Sequence, residues 1–589
     1  MTELLRLEGV GVTYRSATEP ALVDADFSVS RGEVVLVAGP SGCGKSTLLR
    51  VLNGLVPRSY RAEVTGRIEV EGREAAPLAL RDISEVVGTL LQDPAKQVVG
   101  HSVLAEIAFG LENRGTPPAE IRERALRVAE RLGLTPLLST PPHELSGGQL
   151  QLVAFAGILV LDPRVIVVDE PLANLDPDAA DVLLRAVRDY VDGGGAAVIV
   201  EHRVDEVLAL EPDRVVYLEE GRVVFTGDVA GFLAVASPES VKLPFEALLA
   251  GAVGEETPEE EARPAAGGVA RLHFDGAELG YGARTIVAAV DRRFHAGERV
   301  AILGRNGAGK STLMRAAVGL VAPSRGRVLL EDRPVHELTA AELVSTCGYL
   351  FQNPGQALFS ETVEAELAFG PRNLGVPEAE IPAIADAALR AVSLDDVPGI
   401  LQRPPRTLSF GQQRRLAVAL ALTLRPRTLI LDEPTAGQDE RSSRHFLDAV
   451  WAIDGIDSVY FITHDIDMAL ARADRVVVVD GGGIVADAGP AEVVHDLSLW
   501  HGPGVDPGSS RAVLRETDFV RAARRHGPAS GRLPRPLDLA RRLRRAQDDP
   551  GSSSDPRSSD LRSSGLRSSS DPRSSSLPGS SSPLERTHP

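Results

Sequence analysis

Two glycine-rich loops constrain what this chain can fold into more than any other feature. They read Gly39-Pro40-Ser41-Gly42-Cys43-Gly44-Lys45-Ser46-Thr47 and Gly304-Arg305-Asn306-Gly307-Ala308-Gly309-Lys310-Ser311-Thr312. Each follows an apolar run, Val34 to Ala38 and Val300 to Leu303, and precedes a helical pattern. That is the strand–turn–helix setting in which glycines let the backbone wrap a phosphate, amides at the helix start point at it, and the lysine neutralises its charge.

Lys45 and Lys310 are 265 positions apart, and other marks recur at nearly the same offset: Gln92 with Gln352, Ser146 with Ser409, Asp169 with Asp432, and His202 with His464. A whole domain is therefore repeated. The 589 residues, 43% of them hydrophobic, are enough for two domains with cores of their own. The predicted organisation is a first domain over 1–250, a linker over 251–268, a second domain over 269–500, and a tail over 501–589. The linker, rich in Gly, Ala, Pro and Glu, has the composition of a solvated connection. The tail turns Arg-rich from Arg511 to Arg545 and then repeats Ser, Pro and Arg, so it is expected to be disordered. Within it, Leu537 to Arg545 has the spacing of a short basic amphipathic helix that would touch anionic lipid or an acidic partner.

No uninterrupted apolar run approaches the roughly 20 residues of a membrane helix, and the N-terminus has no secretion-signal pattern. With two cysteines, Cys43 and Cys347, the composition suits a reducing cytosol. A net charge of −19 argues against nucleic acid as a partner and against direct adhesion to an anionic bilayer. Membrane contact is expected to be indirect, through another protein.

Each half continues with Leu-Ser-x-Gly-Gln, as Ser146-Gly147-Gly148-Gln149 and Ser409-Phe410-Gly411-Gln412. Twenty residues beyond each Gln, an apolar strand ends in adjacent acids, Asp169-Glu170 and Asp432-Glu433. Asp176 and Asp439 follow, and finally a strand closing on His202 or His464. This ordered set, present twice, resembles the ATP-binding cassette (ABC) ATPase over nearly all of residues 4–500. The resemblance implies an α/β fold: two tandem phosphate-loop ATPase domains, each with a RecA-like sheet core, an antiparallel β subdomain and a helical subdomain.

It also implies roles. ATP and Mg²⁺ are the expected cofactors. Ser46 and Ser311 would offer hydroxyls to the metal, with Asp169, Asp432, Gln92 and Gln352 contributing around it. Glu170 and Glu433 would polarise the attacking water, and His202 and His464 would hold the γ-phosphate and that water. Tyr14 and Tyr281 match the family's adenine-stacking aromatic. Sites in this family are composite, so Lys45 would share ATP with Ser409 and Gly411, and Lys310 with Ser146 and Gly148. Cys43, near a helix start that favours thiolate, would be a target through which alkylation blocks ATP binding. Two departures stand out: Phe410 replaces a signature glycine, and Leu152 sits where the second half has the basic Arg415.

The segments Gln92 to Gly110 and Gln352 to Gly375 resemble the ATPase subunits of energy-coupling factor transporters, importers of vitamins and transition-metal ions. That resemblance implies a transmembrane coupling protein and a small membrane-embedded substrate-binding subunit as partners, and a peripheral place on the cytoplasmic face of the membrane. A sugar-importer ATPase, an exporter ATPase and a soluble twin-cassette factor acting on ribosomes are the alternatives. The acidic linker speaks against the last.

Overall fold

The computed structural model describes residues 2–15, 17, 19–172, 175, 177–252, 268–282, 284–352, 354–436, 438–501 and 513–548. Most of the expected linker, 253–267, lies outside them, as do Asp176 and residues 549–589.

The two halves repeat one architecture. In the first, six strands lie in the order Arg222–Gly227, Arg214–Glu219, Val34–Ala38, Ala196–Val200, Val165–Asp169, Val87–Leu90. In the second, the order from the corresponding edge is Gly483–Ala488, Arg475–Asp480, Arg299–Leu303, Ser458–Ile462, Thr428–Asp432, Cys347–Leu350. All neighbours are parallel except the antiparallel edge strand, Arg222–Gly227 or Gly483–Ala488. Strands buried on both faces must be apolar throughout, which is why Val34–Ala38 reads VVLVA and Ala196–Val200 reads AAVIV, with every residue buried. A four-stranded antiparallel sheet flanks each core, led by Glu3–Tyr14 paired to Leu22–Ser30 and by Ala270–Tyr281 paired to Arg284–His295. Between sheet strands each half inserts helices: Val103–Asn113, Pro118–Arg131 and Gly147–Leu159, then Val363–Asn373, Ile381–Ala391 and Phe410–Leu422. In a doubly wound sheet, ligands bind beyond the carboxyl ends of the parallel strands, and the phosphate loops, Gln92 and Gln352, the paired acids, and His202 and His464 all lie at such ends.

The end of the chain differs from the sequence-based expectation. Residues 513–548 are folded, not disordered: Leu514 pairs with Trp500 in a short parallel bridge, and helices Asp518–His526 and Pro536–Asp548 follow. Phe519, Val520, Ala523, Leu539 and Ala540 are buried. Helix Pro536–Asp548 packs on Phe245–Gly251, the last helix of the first half, while Asp518–His526 packs on Pro490–His495 of the second. One apolar core accordingly runs from the first half through these helices into the second. The basic amphipathic helix expected at Leu537 to Arg545 does form, but Leu539, Ala540 and Leu543 face this core and not a lipid surface. Ion pairs explain why the arginines that precede this helix do not prevent the segment from folding. Arg515 pairs with Asp181 of the first half at 2.9 Å, and Arg524 and Arg532 pair with Glu516 and Asp474.

Candidate active site

Both phosphate loops have the backbone that the glycines were expected to allow. Gly44 and Gly309 cap the helices Lys45–Leu52 and Lys310–Ala317 at φ 108° and 104°. A Cβ at Gly44 would lie 2.6 Å from the Ala21 carbonyl oxygen, so only glycine fits. Lys45 donates to the carbonyls of Gly39 and Pro40 at 2.7 and 2.8 Å, and Lys310 to those of Gly304 and Arg305 at 2.8 and 3.0 Å. Both ammonium groups are thus folded over their own loops, held for a phosphate.

The signature serines are helix caps. Ser146 and Ser409 each accept from the amide of the Gln three residues on, at 3.3 Å, while Gln149 and Gln412 accept from the serine amides at 3.0 Å. These reciprocal bonds fix the starts of Gly147–Leu159 and Phe410–Leu422, leaving the helix N-termini to face an anion. The glutamine side chains assigned to the nucleotide by resemblance are therefore engaged in shaping the helix start.

The acids after the apolar strands lie where the strands end. Glu170 and Glu433 donate their amides to Val200 and Ile462 at 2.9 and 3.0 Å and sit at φ 44° and 50°. A non-glycine residue in the left-handed region costs about 1–3 kcal/mol, a strain typical of functional positions. Both are buried. Burial raises the pKa of Glu170, but His202 and Lys45 outweigh it; burial acts likewise on Glu433 and is outweighed by His464 and Lys310. Both carboxylates are held below the ordinary range and stay charged. His464 Nε2 lies 3.0 Å from Glu433 Oε1, whereas His202 Nδ1 is 3.7 Å from Glu170 Oε1 and 3.2 Å from the buried Glu201. Gln92 donates to Glu170 at 2.6 Å, while the Gln352 side chain is exposed. The two candidate constellations are alike in residues and unequal in bonding.

Ser311 donates to Asp432 at 3.2 Å, and Asp432 also accepts from the Tyr349 hydroxyl at 2.9 Å. Burial, reinforced by Glu170, pushes Asp169 up to about 7, and burial likewise raises Asp432. Tyr14 donates to Thr47 at 3.2 Å and Tyr281 is half exposed.

The halves meet over the first loop. A cavity of about 1030 Å³ is lined by Lys45, Ser46 and Gln92 from one half and by Ser409, Gly411 and Arg415 from the other. The Ser41 amide donates across the seam to Asp439 at 2.6 Å, and Asp439 also caps helix Glu440–Trp451. The structure therefore brings Lys45 together with Ser409 and Gly411, as expected. Lys310 bonds to its own loop carbonyls and Ser146 caps its own helix, as given above.

One expectation changes. Cys43 is buried, and burial pushes its thiol pKa up against the pull of Lys45, so the thiolate is disfavoured. Arg414, beside the Arg415 that distinguishes the second signature helix, is buried and donates to Pro434 and Ala436 at 2.8 Å, while Gln151 at the matching place in the first half donates to Pro171. Sequence reasoning did not single out Arg414, although its pairing with Gln151 at the common offset was a usable signal.

A family model described as ABC transporter matches residues 22–173 and 287–436. This chain belongs to the ABC transporter ATP-binding proteins. A chain named ABC transporter ATP-binding protein from Methanosarcina acetivorans is 34% identical over 540 residues, covering 83% of this chain and 86% of that one. Another so named from Streptomyces coelicolor is 36% identical over 545 residues, covering 83% and 95%. The solved structure of cbiO1 from Clostridium perfringens, part of the ABC transporter complex cbiONQ, is 32% identical, covers 40% of this chain and 92% of that one, and has a TM-score of 0.37. As an ABC transporter ATP-binding protein with two tandem cassettes, the chain binds ATP and is an ATPase.

Proposed function

We propose that this protein is the ATP-hydrolysing subunit of an energy-coupling factor importer for vitamins or transition-metal ions, peripheral to the cytoplasmic face of the membrane and contacting lipid only through its partners. Among the described residues no helix is long and apolar enough to cross a membrane. The observation that carries the reading is a repeated apolar pair. Val99 and Phe109 in the first half are 65% and 46% exposed, and Phe359 and Phe369, each 260 positions further on, are 59% and 50% exposed. They lie in the segments whose sequence resembles energy-coupling ATPases. Phe359 and Phe369 stack edge to face at 4.9 Å, so the second patch is a preformed aromatic surface. Each loop is pinned by a buried glutamate: Glu106 accepts from Val99 and Gly100 at 2.8 and 2.6 Å, and Glu366 from Phe359 and Ser360 at 2.9 and 2.7 Å. Two matched apolar sites on rigid supports suit two amphipathic helices of a transmembrane coupling protein, which in turn holds the substrate-binding subunit.

Catalysis follows from the site. Lys45 and Lys310 leave their loop carbonyls for the β- and γ-phosphates, and the signature helix of the other half closes on the γ-phosphate. Glu170 and Glu433, charged at neutral pH, accept the proton of the attacking water; His202 and His464 orient it. The donor set of Ser46, Ser311, Asp169, Asp432, Gln92 and Gln352 is all hard oxygen, and Ser311 and Asp432 already converge, which fits Mg²⁺. When bound, that ion neutralises phosphate charge. Both sites are read as hydrolytic, with unequal rates.

The test is purification of the native complex from membranes. The reading expects a transmembrane coupling protein and a small substrate-binding membrane protein, both lost in a Phe359→Asp, Phe369→Asp variant that keeps its solution ATPase. A pair of ordinary permease subunits, or ribosomes, coming along instead would overturn it.

A further inference from the structure

Lys242 joins the surroundings of the two catalytic histidines. It follows the helix Val229–Val235 in the first half, and its backbone is stitched to the segment just after His202: its amide donates to the His202 carbonyl at 2.9 Å, and its carbonyl accepts from the Asp205 amide at 3.2 Å. Its side chain goes the other way. Nζ donates across the seam to Asp465 Oδ1 at 3.1 Å, and Asp467 and Asp205 lie at 3.8 and 3.6 Å. Asp465 immediately follows His464 and caps the helix Ile466–Arg472 by accepting from the Met468 amide. A small cavity of about 40 Å³ is lined by His202 and Lys242 from one half and by Glu433, His464 and Asp465 from the other.

The link is charged and largely removed from water. Burial disfavours the Lys242 ammonium, but Asp465, Asp205 and Asp467 outweigh it and hold its pKa well above the ordinary value. A buried ion pair of this kind keeps its partners in a defined arrangement, because separating them leaves an uncompensated charge. A shift of the chain at His202 therefore moves Lys242, and Lys242 pulls on the residue next to His464.

We propose that Lys242 is a positioning residue that couples the two ATP sites, transmitting the state of His202 to His464 across the seam. This rests on the catalytic reading of the two Glu–His pairs given above. ATP bound at one loop and touched by one histidine would then set the position of the other, so that the sites fire in a linked order and not independently.

The experiment is a cycle of full-length proteins: wild type, Glu433→Gln, Lys242→Met, and both together, each measured for steady-state ATPase against ATP concentration. With coupling intact, silencing one site should stall the other, so Glu433→Gln should cost about tenfold or more, within the range of ordinary coupling between sites. In the Lys242→Met background the same change should cost only the share of turnover that the second site carries by itself, at most a few-fold, as expected for independent sites. The dependence of rate on ATP should also flatten to a simple hyperbola there, and Lys242→Arg, which keeps the cation, should restore the steep response. Lys242→Gln, which keeps a donor without the charge, replaces Lys242→Met if the latter melts below the assay temperature. Equal fold losses from Glu433→Gln in both backgrounds would overturn the coupling role. An unchanged rate after Glu433→Gln alone would instead overturn the catalytic reading, and the coupling with it.

Discussion

Replacing Phe519 with alanine should destabilise the protein although the residue lies far along the chain from any nucleotide motif. The ring is 1% exposed, sits on helix Asp518–His526, and meets the Phe245 ring of the first half with centroids 6.1 Å apart and planes tilted by 50°. Truncating a buried phenylalanine to alanine costs about 3–5 kcal/mol, the transfer of the ring plus the cavity it leaves. Of this, about 0.5–1.5 kcal/mol belongs to the contact between the two rings. The combined Phe245→Ala, Phe519→Ala protein should therefore lose less than the sum of the single losses by about that amount. Urea titration followed by tryptophan fluorescence suits the measurement, because Trp500 pairs with Leu514 at the root of this segment and donates to the Val493 carbonyl at 2.9 Å. A loss below about 0.5 kcal/mol, the range of ordinary surface substitutions, would mean that the C-terminal helices do not pack between the halves. Strict additivity of the two changes would refute the ring contact alone.

Four further outcomes follow from the site. Glu170→Gln and Glu433→Gln should each lower hydrolysis at their own site by about 10²–10⁴-fold without loss of ATP binding, measured by single-turnover kinetics and equilibrium dialysis; full activity after either would show that site to be unproductive. Lys45→Ala should weaken ATP binding at the seam cavity; unaltered nucleotide retention there would argue against the loop as the phosphate cradle. Iodoacetamide at pH 8 should leave Cys43 unmodified in the folded chain, as mass spectrometry of peptides can establish, and rapid labelling would contradict its burial. Chelation of divalent cations should abolish turnover, restored by added Mg²⁺, and persistent turnover in excess chelator would count against a metal at Ser46 and Ser311.

The nucleotide machinery was legible in the sequence because each part makes a demand that few residue types meet. A phosphate loop needs glycine where φ is positive, a capping box needs Ser and Gln three apart, and a doubly buried strand needs an apolar run that stops at its acids. Their recurrence at a common offset removed the remaining ambiguity. The folded segment 513–548 is obscured in the sequence because its arginines run on into the Ser-rich stretch beyond it. Phe519, Val520 and Ala523, spaced for one helix face, were present to be read, but their partners Phe245 and Leu248 lie some 270 positions away. Lys242 carries no local signature at all. Its significance comes from an acceptor that only the tertiary structure brings near, 223 positions away.

The apolar core shared through the C-terminal helices bears on how the molecule can be divided. A cut at the linker would leave Phe245 and Leu248 of the leading fragment bare, and the trailing fragment would carry the matching surface on Asp518–His526 and Pro536–Asp548. Severed there, the two pieces would still recognise one another without a peptide connecting them. A trailing piece shortened to residue 501 would have lost that means of reunion.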